Sequence, residues 1–351
     1  MANRARGGLV AALTAALLAA VSASAGAGAS APAPASAPAG LRTTTLDAKG
    51  LERLAARPWL RQRSRAASGP GLKVAISPAY ASDPGAVQRW TDFFISLLHG
   101  PELDLLDAYI APLPEVEEIC GDEALGCYGS NHLVVMGEAN FGISAETVAR
   151  HEYGHHVAAN RLNPPWPAAD WGAKRWASAA GVCGRVAAGT AFPGDEDMNY
   201  ELNPGEAFAE SYRVLVETNG QAVGYDWPIL DDSFRPTAET LAAVREDVLH
   251  PWAGPAERTI QAKFLRRSRT WTTTVATPLD GDLRVRVTTS GGGADGVALL
   301  SGDGQTVLAN GSWSTSGGKS VEYRVCGGRS LKVRVTRGGA AVRFTLRVQA
   351  P

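Results

Sequence analysis

The chain has 351 residues, of which 45% are hydrophobic, and a formal net charge of −1. This length and this share of apolar side chains suit two packed domains. Because the sequence has no basic stripe and no interleaving of aromatic with basic residues, a nucleic acid is not an expected partner.

Residues 1–25 have the pattern of a secretory signal. Arg4 and Arg6 precede an apolar stretch from Leu9 to Val21, and small residues at Ala23–Ala25 give a cleavage site. The apolar stretch is short for a transmembrane helix, although an uncleaved signal anchor is the alternative. We therefore expect a secreted, extracellular protein without stable membrane insertion after the signal is removed.

The segment 26–71 has two parts. Residues 26–40 are rich in Ala, Pro, Gly and Ser and indicate a flexible spacer. Residues 41–71 contain apolar side chains at helical spacing, namely Leu51, Leu54, Ala55 and Trp59. Two interpretations stay open: a propeptide that occupies a cleft before activation, or a helical arm packed on the following domain.

The sequence contains four cysteines, and export permits disulfides. Cys120 and Cys127 flank a short Gly-containing segment that we interpret as a loop, and they form the natural local pair. Cys183 and Cys326 then pair by elimination, which would join the two predicted domains. A cysteine-based zinc site is disfavoured, because the sequence has no C-x2-C spacing.

Residues 72–254 are predicted to form an α+β catalytic domain. Short apolar strands are predicted at 72–76, 105–110 and 131–136, and a closing helix at 236–250. If the strand at 131–136 lies at the sheet edge, an extended peptide can add to it by main-chain hydrogen bonds. An ordinary core strand at this position is the alternative.

The segment from Ser144 to Leu162 is predicted to be a helix with His151-Glu152-Tyr153-Gly154-His155 at its centre. Residues four apart on a helix lie about 40° apart around the axis and about 6 Å apart along it, so His151 and His155 can aim two nitrogens at one point. Glu152 is placed to hold a water beside a metal ion. His156 points away and is predicted to be a surface or packing residue.

A catalytic zinc ion needs three protein ligands and one open position. Asn203 and Pro204 begin a predicted helix on which Glu206 and Glu210 share one largely apolar face. Two carboxylates on such a face are costly without a partner, and a metal with its ligands supplies one. We therefore predict Glu206 as the third ligand and Glu210 as the acceptor of the His151 Nδ1 proton. A charged helix with one solvated face is the alternative.

HEYGH, followed downstream by NPGEAFAESYRVL, is similar to the gluzincin metallopeptidases, and most to the catalytic domain of anthrax-lethal-factor-type enzymes. The resemblance implies a zincin-like fold, a Zn²⁺ cofactor bound by His151, His155 and Glu206, and Glu152 as the general base for hydrolysis of peptide bonds. It also implies an oxyanion-stabilising role for Tyr200, although the spacing of this tyrosine differs by about one residue. A packing role is the alternative for Tyr200.

Residues 265–351 change character, with alternating apolar and polar residues between Gly-rich turns, which predicts an all-β sandwich. This segment resembles the accessory β-domains that follow secreted bacterial peptidases. It contains no catalytic constellation, so adhesion, substrate docking or folding support are its candidate roles.

Two functions follow from these patterns. The first is a secreted zinc endopeptidase that acts on protein or peptide substrates. The alternative is a non-catalytic, zinc-containing binding or adhesion protein built on the same scaffold. An intact Glu152 favours the first, since a protein that only binds has no need of a base.

Overall fold

The structure, a computed structural model, describes the residue ranges 42–63, 71–220, 229–265, 267–289, 294–313, 318–338 and 343–351. The predicted signal at 1–25 and the predicted spacer at 26–40 lie outside these ranges. Within them, no helix is both long and apolar enough to cross a membrane.

A six-stranded mixed sheet organises the first part of the chain. Its strands are β1 Arg42–Thr45, β2 Leu60–Arg63, β3 Lys73–Ile76, β4 Asp107–Ala111, β5 Ala124–Gly129 and β6 His132–Met136. They lie in the order β1-β5-β6-β4-β3-β2. Strands β3, β4 and β6 are parallel to one another, β5 is antiparallel to β6, and β1 is parallel to β5. On one side of β6 the sheet therefore continues with β5 and ends with β1 as its edge strand.

Two expectations about this sheet were wrong. The segment between Cys120 and Cys127 was interpreted as a loop, but its second half begins strand β5, whose residues Ala124–Tyr128 are all buried. The strand at 131–136 lies inside the sheet, between β5 and β4, so its placement at the sheet edge was wrong and the alternative of a core strand is confirmed. Burial against the helices and pairing with β6 outweigh the weak strand propensity of the glycines in β5.

Nine helices of the described residues accompany this sheet: α1 Ala48–Ala56, α2 Ala86–Ser96, α3 Leu113–Cys120, α4 Ala145–Ala159, α5 Ala168–Trp171, α6 Lys174–Ala179, α7 Val182–Ala187, α8 Pro204–Glu217 and α9 Ala238–Leu249. The predicted helices at 144–162, from Asn203 onward and at 236–250 correspond to α4, α8 and α9. Within the segment 41–71, the described residues form β1, α1 and β2, so two strands and a helix lie where the spacing indicated only a helix.

The two long helices α4 and α8 cross at close range. A Cβ atom added to Gly154 of α4 would lie 2.6 Å from Cα of Ala209 in α8. The two backbones can approach this closely only because one residue has no side chain and the other has a single methyl group. All residues of α8 from Pro204 to Leu215 are buried, so the helix is fixed on every side. This crossing determines where the side chains of the two helices meet.

The rest of the described chain forms two antiparallel sheets. The strands are β7 Ala256–Lys263, β8 Thr270–Thr277, β9 Gly281–Thr289, β10 Ala294–Leu300, β11 Val307–Asn310, β12 Ser312–Trp313, β13 Lys319–Val325, β14 Arg329–Arg337 and β15 Arg343–Ala350. The sheet orders are β11-β10-β14-β8 and β12-β13-β9-β15-β7. Alternate residues of both sheets, such as Val285, Leu299, Val333 and Leu346, share one buried core. Strand β7 pairs with β15 and begins before residue 265, where the β-domain was expected to start. The boundaries of the two domains otherwise stay predictions.

Both predicted disulfides are present. Cys120 at the end of α3 is bonded to Cys127 in β5, and Cys183 in α7 is bonded to Cys326 after β13. The second bond joins the helical part of the chain to the β-sheets. Near it, the backbone N–H of Asp280 donates to the Ser178 hydroxyl of α6 at 2.9 Å. Two disulfides fit an oxidising, extracellular environment.

Candidate metal centre

Helix α4 places two histidines on one side. The Ser144 hydroxyl caps the helix by accepting from the backbone N–H of Thr147 at 3.0 Å. One turn separates His151 from His155, and their Nε2 atoms lie 3.1 Å apart. Two ring nitrogens at this distance repel each other unless a proton or a cation lies between them. The pair is thus arranged around a common positive partner.

Helix α8 supplies the third group. Asn203 caps it through its side chain, and Glu206 lies in its first turn. The Glu206 carboxylate lies 3.1 Å from His151 Nε2 and 3.3 Å from His155 Nε2. The three ligand atoms all lie within 4.8 Å of one another. The structure thus brings together the three residues that the sequence predicted as ligands.

The spacing of these atoms fits a small tetrahedral ion. Bonds of 2.0–2.1 Å at tetrahedral angles place neighbouring ligand atoms about 3.3–3.4 Å apart. The observed separations are 3.1 and 3.3 Å. Two imidazoles and one carboxylate, without a thiolate, form a donor set that zinc accepts in sites with an open position. These residues could therefore hold a zinc ion.

Glu210 lies one turn after Glu206 and supports His151 from behind. Its Oε2 atom lies 3.3 Å from His151 Nδ1, as predicted for an acceptor of the ring proton. Arg213, which was not predicted from the sequence, donates from its guanidinium to both Glu210 oxygens at 2.6 and 2.9 Å. Burial alone would raise the pKa of Glu210, but the hydrogen bonds from His151 and Arg213 lower it below its usual value. Glu210 is therefore held as an anion that fixes His151.

The pKa values of His151 and Glu206 follow the same pattern. Burial alone would lower the pKa of His151, but hydrogen bonds to Glu206 and Glu210 raise it to about 10. Burial alone would raise the pKa of Glu206, but the positive charge of His155 and the hydrogen bonds from both histidines lower it. A buried anion thus binds cationic neighbours strongly, which is the electrostatic condition for holding a metal cation.

We expect Glu210→Ala to weaken zinc binding by about 10- to 100-fold, since partners of ligating histidines typically contribute this much. It should also destabilise the fold by about 3 kcal/mol, because one buried charge pair is broken. The matched control is Glu217→Ala, which removes the other partner of Arg213 but does not contact His151. Zinc competition titrations and thermal melts of both variants test this. Equal zinc affinity in the two variants would contradict a role for Glu210 at the metal.

Glu152 is fully buried, with 0% of its surface exposed. Among the described residues, neither of its carboxylate oxygens has a hydrogen-bond partner. Burial raises its pKa well above the usual value. Strand β5 leaves room for the side chain, because a Cβ atom on Gly126 would lie 2.8 Å from Glu152 Oε1. A buried carboxyl group without a partner is costly and calls for a function.

Tyr200 also reaches the cluster. Its hydroxyl donates to Glu206 Oε2 at 2.7 Å. Burial, together with the charge of Glu206, raises the pKa of Tyr200 well above its usual value, so the phenol stays protonated and can donate. The structure thus places Tyr200 at the centre, while its role in stabilising an oxyanion stays a prediction. His156, in contrast, contacts Tyr128 and the Glu102 carbonyl and packs in the core.

Two further residues, Thr43 and Glu196, lie at the centre and were not predicted from the sequence. Thr43 of β1 places its hydroxyl 3.2 Å from His151 Nε2 and 3.2 Å from Glu206 Oε2. Glu196 lies near Glu206; burial and the Glu206 charge raise its pKa to about 8. No local pattern marked Thr43, which is one of three consecutive threonines. Thr43 lies 108 positions before His151, the first of the three ligands. Glu196 lies ten positions before Glu206, which is too far along the chain for a local spacing pattern to connect them.

No protein-family model matches this chain, and no curated protein is significantly similar to it. Among solved structures, it is similar to the pre-peptidase C-terminal domain of a collagenase from Bacillus anthracis. The identity is 14%, the match covers 26% of this chain and 88% of that domain, and the TM-score is 0.24. At this TM-score the similarity supports no conclusion about the function of this chain.

Proposed function

We propose that this protein is a secreted zinc-dependent endopeptidase of gluzincin type, with a zincin-like catalytic domain. The observation that carries the proposal is the convergence of His151, His155 and Glu206 beside a buried Glu152 that has no hydrogen-bond partner in the described part of the chain. A structural metal site needs no free carboxyl group next to it, whereas hydrolysis needs a base. The alternative of a binding protein leaves Glu152 without a purpose.

Zinc would be held by His151, His155 and Glu206, with Glu210 fixing the orientation of His151. When bound there, it would supply a Lewis acid and a water of lowered pKa, the chemistry that cleaves peptide bonds at neutral pH. The same ligand set leaves one position open, as catalytic zinc sites require.

The residues of the chain supply the proton transfers. Glu152 accepts the proton of the attacking water and later gives it to the leaving amine. Burial raises its pKa above the usual value, which makes the carboxylate a stronger base than an exposed glutamate. Tyr200 stays protonated and donates a hydrogen bond to the carbonyl oxygen as negative charge develops. A donor of this kind typically contributes about 3–4 kcal/mol to transition-state stabilisation.

The test is hydrolysis of an unstructured protein, such as reduced casein, by the purified full chain and by Thr44→Pro, a variant designed to displace strand β1 from the centre. We expect hydrolysis that a zinc chelator abolishes and that stoichiometric zinc restores. Hydrolysis that persists in the chelator would contradict the zinc mechanism. Absence of hydrolysis in both zinc-loaded proteins would contradict the peptidase and favour the binding protein.

A further inference from the structure

Strand β1 lies where an extended peptide would add to the sheet. It pairs along the outer edge of β5, with Thr43 opposite Gly126 and Thr44 opposite Cys127. The pairing continues beyond the strand, because the Leu46 backbone N–H donates to the Tyr128 carbonyl at 2.9 Å. Addition of a strand to a free sheet edge is a general way of binding polypeptides. Here a segment of the same chain occupies that edge.

The Thr43 side chain points into the candidate metal centre, and only 1% of its residue surface is exposed. Its hydroxyl oxygen lies 3.2 Å from His151 Nε2 and 3.2 Å from Glu206 Oε2. These distances equal the spacing of the ligand atoms among themselves, which is 3.1 to 3.3 Å. The hydroxyl therefore lies beside two of the three ligand atoms, at the spacing of neighbouring donors around one ion.

Further contacts hold the strand in this place. The Thr43 hydroxyl lies 3.0 Å from the Tyr200 hydroxyl, and the Thr43 backbone N–H donates to the same phenol at 3.4 Å. The Arg42 guanidinium donates to the Glu196 carbonyl at 3.0 Å. The Thr44 hydroxyl donates to the Cys120 carbonyl at 3.0 Å. Arg42, Thr43 and Thr44 of β1 thus each have a side-chain hydrogen bond to a residue outside the strand.

The chain after β1 leads away from the centre. Helix α1 packs beside α3, where Arg57 pairs with Glu115 at 3.1 Å. Strand β2 then pairs with β3 at the opposite edge of the sheet. One segment, residues 42–63, therefore covers both edges of the sheet. Its two strands are peripheral, since each has a neighbour on one side only within the described residues.

We propose that Arg42–Thr45 is a built-in inhibitory strand, which fills the binding place of an extended substrate and closes the metal centre until it is displaced. This inference rests on the proposed peptidase function. Strand β1 would not be cleaved at the metal centre, because the group of the strand that lies next to the ligand atoms is an alcohol side chain. The hydroxyl offers no acyl carbon to attack, so the strand occupies the centre without being cleaved there.

The experiment compares wild type with Thr44→Pro and Arg61→Pro in the full chain. Proline at residue 44 removes a main-chain donor of β1 and disfavours its pairing with β5, whereas proline at residue 61 does the same to β2 at the far edge. Each zinc-loaded protein is mixed with excess chelator, and the rate of zinc removal is measured beside the rate of casein hydrolysis. Thr43→Gly, which empties the position beside the ligands and keeps the main-chain donor, serves as a second variant. Thermal melts show that each variant is folded.

We expect Thr44→Pro and Thr43→Gly to raise both rates about tenfold or more, and Arg61→Pro to leave both near wild type. Equal rates of zinc removal in all four proteins would overturn the inhibitory strand, even if all hydrolyse casein. A faster zinc removal with lower hydrolysis would also overturn it, because β1 would then be a working part of the centre. Faster zinc removal without hydrolysis in any protein would refute the peptidase function on which the inference rests.

Discussion

Glu152→Gln should lower kcat/KM for an unstructured protein substrate by about 10²- to 10⁴-fold, the usual contribution of a general base. Gln has nearly the same shape but cannot accept and return a proton. Zinc content should stay at the wild-type level, because Glu152 is not among the three converging ligands. Stability should not fall, since the substitution removes a buried carboxyl group that has no hydrogen-bond partner among the described residues.

The measurement is best made in the wild-type chain and again with Thr44→Pro, so that an occluded centre does not hide the effect. Glu146→Gln is the matched control, because Glu146 is an exposed glutamate in the first turn of the same helix. Zinc per chain and the melting temperature are recorded for each protein. Equal activity of Glu152→Gln and the control would refute Glu152 as the base.

Glu206→Ala should weaken zinc binding by more than about 100-fold. Loss of a supporting partner of a ligand typically costs 10- to 100-fold, and loss of a ligand removes a bond as well as a charge. The variant also leaves His151 and His155 facing each other at 3.1 Å without the carboxylate that both contact. We therefore expect no activity at zinc concentrations that saturate the wild type.

Zinc affinity is measured by competition with a coloured chelator, with Glu201→Ala as the control. Glu201 is an exposed carboxylate five residues before Glu206, so its loss should leave affinity unchanged. If Glu206→Ala binds zinc as tightly as the control, Glu206 is not a ligand and the third position must be filled by another residue.

The sequence was informative where the chemistry depends on local spacing. Histidines four apart on a capped helix must share a side, and the same holds for Glu206 and Glu210. Asn203 and Pro204 marked the start of α8, because a side-chain acceptor followed by proline suits a helix N-terminus. The sequence also predicted that Glu206 and Glu210 have partners, because two carboxylates on a largely apolar helix face are costly without them.

The sequence was uninformative where the contact joins distant segments. Thr43 lies 108 positions from His151, and nothing in its own neighbourhood indicates that its hydroxyl faces the centre. The start of strand β5 was missed because Gly121 and Gly126 were interpreted as part of a loop between the two cysteines, whereas burial and pairing with β6 make the second half of that segment a strand. The place of Gly154 in the crossing of α4 and α8 also depends on Ala209, a residue that local patterns cannot select.

X-ray absorption at the zinc edge of the purified full chain can show directly whether α4 and α8 bring three side chains around one zinc ion. We expect about one zinc per chain, with two imidazole nitrogens and at least one carboxylate oxygen at about 2.0–2.2 Å. In His151→Ala the imidazole contribution should fall from two nitrogens to at most one. A chain that binds no zinc at micromolar concentration, or a shell without two imidazoles, would contradict the account.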